Sequence, residues 1–147
     1  MSGSASYPEL IQANAQRIRE MHARIHETLR SRNTPEGRKA WEKACAEFQA
    51  NYDALAFPGG YDSGLQRIAE GDAGAIEAAL AFLELRPYFF RSGYMREKLL
   101  RRLKHVPLTS SQGERFSAVL EAQRKWRAGT QQGAAADAPT KRPRGGA

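Results

Sequence analysis

Over most of the chain, apolar residues recur at intervals of three and four, which is the spacing of one face of an α-helix. In the first such stretch, Ile11, Ile18 and Ile25 lie seven residues apart. The tetrapeptide SYPE that begins at Ser6 is a capping-box pattern with proline in the first turn. These features predict a long helix from Ser6 to about Arg32, with a narrow apolar seam for one neighbouring helix.

A second apolar stripe follows Thr34 and Pro35, a good N-cap residue and a residue that suits the first helical position. The turn sequence that begins at Pro58 ends this second helix. We therefore expect the first two helices to form a long antiparallel hairpin joined by a short turn. The members of the second stripe are Trp41, Cys45, Phe48, Tyr52 and Leu55.

Two shorter helices are predicted in the middle of the chain. Asp62 is placed to cap one that ends at Gly71, and Asp72 is placed to cap another that runs to Leu85. The second is rich in alanine and apolar on much of its surface, so we expect it to be the most buried helix. Three adjacent aromatic residues at positions 88–90 follow it, and they predict a wedge into the core.

Ser92 is predicted to cap a further helix, from Tyr94 to about His105, with apolar residues on one side and basic residues on the other. A second capping box, which begins at Thr109, predicts a last helix that ends at about Ala128. Residues 130–147 show no apolar periodicity and are rich in Gly, Ala, Pro and Gln, which predicts a disordered basic tail.

Together these elements predict an all-α fold, a compact bundle of five or six helices with the long hairpin at its N-terminal end. The length of 147 residues fits one domain, which we place at residues 1–129. The tail at residues 130–147 lies outside that domain.

The net charge of +7 is concentrated in two segments of the chain. Residues 91–105 hold six Lys and Arg residues and one acid, and residues 130–147 hold three bases and one acid. Elsewhere the acids and bases cancel. A localised positive field attracts polyanions or the acidic surface of another protein.

The basic side of the fifth predicted helix is therefore the candidate binding site. We expect a non-enzymatic interaction module, of an adaptor, regulatory or toxin-neutralising type, that binds an acidic protein surface. The other interpretation of the same pattern is a solvated face that is partly neutralised by acids on neighbouring helices. The candidate partner-binding or anion-binding residues are Arg91, Tyr94, Arg96, Lys98, Arg101, Arg102, Lys104 and His105.

Nucleic acid is the alternative partner, contacted at its phosphates without strong sequence readout. A helix-turn-helix is not favoured, because the connection from Arg86 to Gly93 is about twice the three or four residues usual in that motif. The basic side also lacks the Asn, Gln and Ser side chains that commonly read bases.

The remaining chemistry is sparse. His22 and His26 have the spacing of two metal ligands on a helix, but no third ligand is specified, so we interpret them as packing histidines. No G-x-S-x-G, P-loop or glycine-rich dinucleotide motif occurs, and we expect no enzymatic activity, no metal and no cofactor.

The single cysteine, the absence of a signal-peptide pattern and the lack of a long apolar run predict a cytoplasmic protein without a membrane partner. The oligomeric state is left open.

Overall fold

The computed structural model describes residues 6–137, with side chains described up to residue 129. These residues form helices and connecting turns without a strand, so the predicted all-α class is confirmed. The contacts divide the chain into two compact units, Met1–Leu108 and Thr109–Ala147. The first unit is a bundle of five helices and the second contains one helix. The helices are α1 (Tyr7–Leu29), α2 (Pro35–Ala56), α3 (Tyr61–Ala69), α4 (Ala73–Leu85), α5 (Ser92–Leu103) and α6 (Ser110–Asp137).

The N-terminal hairpin of α1 and α2 forms as predicted. The Ser6 hydroxyl accepts from the Glu9 amide at 3.2 Å while the Glu9 carboxylate accepts from the Ser6 amide at 3.1 Å, which completes the capping box. The Thr34 hydroxyl caps α2 by accepting from the Gly37 amide at 2.9 Å. An Arg17–Glu47 ion pair at 3.4 Å joins the two helices, which run antiparallel on either side of the short turn at residues 30–34.

Helix α4 is the centre of the first unit, as its apolar composition predicts. The Asp72 carboxylate accepts from the Ala75 amide at 2.8 Å and caps it. Phe82 is fully buried, with its ring centroid 6.4 Å from that of Phe57 and 6.1 Å from that of Phe89. Because α4 contacts α1, α3 and α5, its burial organises the packing of those helices. Its buried residues are Ala75, Ile76, Ala78, Ala79, Leu80, Ala81, Phe82 and Leu83.

The predicted N-cap of α3 is wrong. Helix α3 begins at Tyr61 and its cap is Gly60, whose φ of 100° is a conformation that an L side chain rarely adopts. Asp62 lies inside the helix, and its amide donates to the Asp53 carboxylate of α2 at 3.0 Å. The Asp53 carboxylate of α2 therefore accepts from an amide in the first turn of α3, which is the capping role that the sequence predicted for Asp62.

Helix α6 begins with the predicted capping box and ends later than predicted. The Gln112 amide donates to the Thr109 hydroxyl at 3.1 Å, and the Thr109 amide donates to the Gln112 side chain at 3.0 Å. The helix continues through Gly129 to Asp137 instead of stopping at about Ala128. Each of the two glycines in this extension, Gly129 and Gly133, costs only about 1 kcal/mol, and the next proline is Pro139.

The rest of the predicted tail, residues 138–147, lies outside the described residues, as do its basic side chains Lys141, Arg142 and Arg144. The proposed single domain at residues 1–129 stays a prediction.

Candidate interaction surface

The connection between α4 and α5 positions the candidate site. A buried side chain in the middle of this connection anchors it in the core. Arg86 ends α4 in the left-handed conformation, with φ of 50°. Phe89 is buried, and its ring contacts those of Phe82 and Tyr52 at centroid distances of 6.1 and 6.2 Å. The Ser92 hydroxyl accepts from the Phe89 amide at 3.2 Å, which closes a tight turn.

Ser92 is therefore not the N-cap of α5, as the sequence predicted. It is the first residue of that helix, and its hydroxyl faces back into the turn rather than capping a helical amide. The cap position is taken by Arg91, which is also left-handed, with φ of 69° and ψ of 13°. A residue with a β-carbon is uncommon in that conformation and carries local strain.

Side chains of α1 and α2 hold the same connection from the other side. The Arg19 guanidinium donates to the Tyr88 carbonyl at 2.8 Å, and the Tyr52 hydroxyl donates to the Phe90 carbonyl at 2.6 Å. Burial raises the pKa of Tyr52 to about 12, partly offset by the nearby Arg91 cation. The Tyr52 hydroxyl therefore keeps its proton, and remains a donor, throughout the neutral range.

The predicted aromatic wedge is correct for one of its three residues. Phe89 is buried, whereas Tyr88 is 80% exposed and Phe90 is 42% exposed. Phe90 packs on the surface of the hairpin, with its ring stacked on His22 at 4.9 Å and edge-on to Phe48 at 5.9 Å. With Tyr94, which is 70% exposed, these rings form an aromatic surface beside the start of the basic helix.

Six basic side chains in α5 and its flanks are exposed, and we call these six the α5 basic face. Tyr94, Lys98 and Arg101 follow one stripe of the helix, because their spacing of four and three residues returns to the same side. Arg96 lies apart from them, partly buried on the side that carries the leucines. The exposed members of the face are Arg91, Lys98, Arg101, Arg102, Lys104 and His105.

The α5 basic face is not neutralised within the first unit. None of its Lys or Arg side chains forms an ion pair with a carboxylate of residues 6–108. Arg102 does have an internal contact, since its guanidinium donates to the Leu65 carbonyl of α3 at 3.2 Å. That contact leaves its charge uncompensated, because a carbonyl carries no net charge.

Tyr61 of α3 borders this face, which the sequence pattern did not indicate. Burial and the neighbouring Asp62 carboxylate raise its pKa, while Arg102 and Arg101 act in the opposite direction. Tyr61 is thus close enough to Arg101 and Arg102 for their positive charges to act on its pKa. It brings a further aromatic hydroxyl to the C-terminal end of the face.

His22 packs against the Phe48 and Phe90 rings, as predicted for a packing histidine, whereas His26 is exposed. The His22 and His26 rings meet edge to face at 4.8 Å, and His22 stacks on Phe90. Burial and the charge of His26 lower the pKa of His22, which favours its neutral form. Among the described side chains, no group of three or more His, Cys, Asp or Glu residues is arranged to hold a metal ion.

No family model matches the chain, and the searches of curated proteins and of solved structures also find no match. Among the residues that the structure describes, no helix combines the length and the apolar character needed to cross a membrane.

Proposed function

We propose that this protein is a non-enzymatic, cytosolic interaction module that binds an acidic protein surface through the α5 basic face. An adaptor, regulatory or toxin-neutralising role would use such a module. The observation that supports it is a set of exposed Lys and Arg side chains without ion pairs to the carboxylates of residues 6–108.

The physical argument rests on where the charges lie and how they are held. Adjacent cations repel one another, and an unpaired cluster adds nothing to the stability of the isolated bundle. The same cluster speeds encounter with an acidic surface and disfavours basic ones. Because the leucines on the other side of α5 are buried, the helix presents the cations on a fixed support.

Charge reversal tests the proposal. The variant Lys98→Glu, Arg101→Glu and Lys104→Glu spares Arg102, whose contact with the Leu65 carbonyl is structural. A fluorescein-labelled peptide of alternating glutamate and glycine serves as the probe, with binding followed by anisotropy at low and physiological salt. We expect the variant to keep its circular dichroism spectrum and to lose at least about tenfold in affinity, which corresponds to about 1.4 kcal/mol.

A matched control carries the same change in net charge on another surface. The variant Arg38→Glu, Lys39→Glu and Lys43→Glu alters three exposed cations of α2. It should bind the peptide nearly as well as the wild type. Equal losses in the two variants would mean that only net charge matters, and unfolding of the α5 variant would show that its cations are structural; either result contradicts the proposal.

Nucleic acid is a second candidate partner, favoured by the exposed Tyr88 and Tyr94 rings beside the cations. Proteins that bind single strands combine basic grooves with aromatic rings on which bases stack. Salt titrations on random duplex and single-stranded DNA separate the two candidates. A steep linear fall of log affinity with log salt supports nucleic acid, and no binding at low salt excludes it.

A further inference from the structure

Arg91 is held differently from every other cation of the α5 basic face. Its backbone occupies the left-handed region, with φ of 69°, although its side chain is not one that favours this conformation. Strain of this kind persists where the surrounding structure enforces it, and it is concentrated at functional sites. Here the neighbouring Phe89–Ser92 turn and the Tyr52 hydrogen bond to the Phe90 carbonyl hold the backbone of Arg91 in the left-handed conformation.

Two aromatic rings contact the Arg91 side chain. Its guanidinium carbon lies 5.3 Å from the centroid of Phe90 and 5.6 Å from that of Tyr94. Rings against the guanidinium restrict its rotamers and shield its faces from water. The planar edge of N–H donors stays available, and that edge matches a carboxylate in a two-bond geometry.

The Phe90 ring already has protein neighbours, which bears on the kind of anionic group that Arg91 would bind. Phe90 stacks on His22, and the Arg91 guanidinium lies 5.3 Å from the centroid of its ring, although Phe90 is still 42% exposed. A base that stacked on Phe90 would compete with these groups, whereas Tyr88 and Tyr94 are exposed and open to a base. A carboxylate or a phosphate needs only the exposed edge of the guanidinium, which no carboxylate of residues 6–108 occupies, so the choice of a carboxylate follows from the proposed acidic protein partner.

We propose that Arg91 is the anchor of the interface, where its guanidinium binds a single carboxylate of an acidic protein partner in a bidentate pair. This inference rests on the proposed function of the α5 basic face. Arginine and tyrosine are the residue types that most often dominate interface energies. A side chain already ordered by its own rings loses little conformational entropy when the partner arrives.

The test compares two arginines of the same face under conservative substitution. Arg91→Lys keeps the charge and removes the planar donor edge, while Arg101→Lys makes the same change at an exposed site without ring contacts. With the glutamate–glycine peptide as the probe, we expect about a tenfold loss for Arg91→Lys and less than about a twofold loss for Arg101→Lys. Equal effects at both positions would overturn the anchor role.

A direct readout is the side-chain Nε–Hε signal of each arginine in an NMR titration with the same peptide. The Arg91 signal should shift and persist at higher pH than in the free protein, because a bidentate pair protects that proton. Arg91→Gly tests the backbone separately: glycine suits the left-handed conformation, so the melting temperature should be unchanged or higher while peptide binding falls. A folded glycine variant that binds normally would contradict the proposal.

The outcomes separate this inference from the proposed function. If the wild type does not bind the peptide, both are wrong. If the α5 charge-reversal variant loses binding while Arg91→Lys does not, only the anchor role is wrong. If oligothymidylate shifts the Arg91 signal and the acidic peptide does not, the partner is a nucleic acid and the carboxylate assignment is overturned.

Discussion

Helices α4 and α5 follow one another in the chain and have nearly the same length, 13 and 12 residues, but they differ in how much of their surface is buried. Eight residues of α4 are buried, compared with five of α5. The apolar residues of α4 surround its axis, so little of its surface is left for a partner. Helix α5 buries one side and exposes a cationic stripe on the other.

This difference separates the residues that stabilise the bundle from those of the candidate interaction surface. Burying an unpaired Lys or Arg is costly, so the cations remain at the surface while the leucines of the same helix face the core. Helix α4 contributes mainly to the core of the unit. Helix α5 contributes part of the same core and also presents the candidate interaction surface.

The largest expected effect lies in α4. Phe82→Ala removes a fully buried ring that packs between Phe57 and Phe89, and we expect it to lower the free energy of unfolding by about 3–5 kcal/mol. Urea unfolding followed by circular dichroism measures the loss. Phe82→Leu, which keeps most of the volume, should cost less. A loss under about 1 kcal/mol for Phe82→Ala would mean that α4 is not the centre of the unit.

The second prediction compares the loss of stability on the buried side of α5 with that on its exposed side. Leu99→Ala removes a fully buried side chain and should cost about 2–5 kcal/mol, whereas Arg101→Ala, two residues away, should change stability by no more than about 0.5 kcal/mol. Thermal and urea unfolding of both variants check this contrast. A large loss for Arg101→Ala would show that the basic side also supports the fold.

The smallest effect concerns the hydrogen bond that holds the connection between the two helices. Tyr52→Phe removes the donor to the Phe90 carbonyl and should cost about 1 kcal/mol at neutral pH. Tyr88→Phe is the control, because the Tyr88 side chain is 80% exposed. Urea unfolding of the three proteins at neutral pH measures the difference.

The pH dependence of that difference has a definite sign. The pKa of Tyr52 is about 12 in the folded protein and 10.0 as the reference value, so ionisation favours the unfolded chain. The stabilisation is fully present below pH 10 and is lost as pH rises from 10 to 12. The advantage of wild type over Tyr52→Phe should therefore shrink over this interval, and a constant advantage would contradict the assignment.

Local sequence was sufficient for much of the fold. The capping patterns at Ser6, Thr34, Asp72 and Thr109 all form, because each needs only a side chain and an amide two or three residues away. The central position of α4 also followed from its composition. Asp62 and Ser92 were assigned wrongly, because the positions of other residues determine what their groups bond.

The sequence by itself determined the helical class, most helix boundaries and the segregation of charge onto one side of α5. Periodicity and capping are properties of neighbouring residues, so they can be read along the chain. Only the tertiary structure decided that Tyr88 and Phe90 lie at the surface while Phe89 is buried, and that Arg91 contacts the rings of Phe90 and Tyr94. These outcomes depend on where Arg19 and Tyr52 of the distant hairpin meet the connection, and local sequence pattern does not encode that geometry.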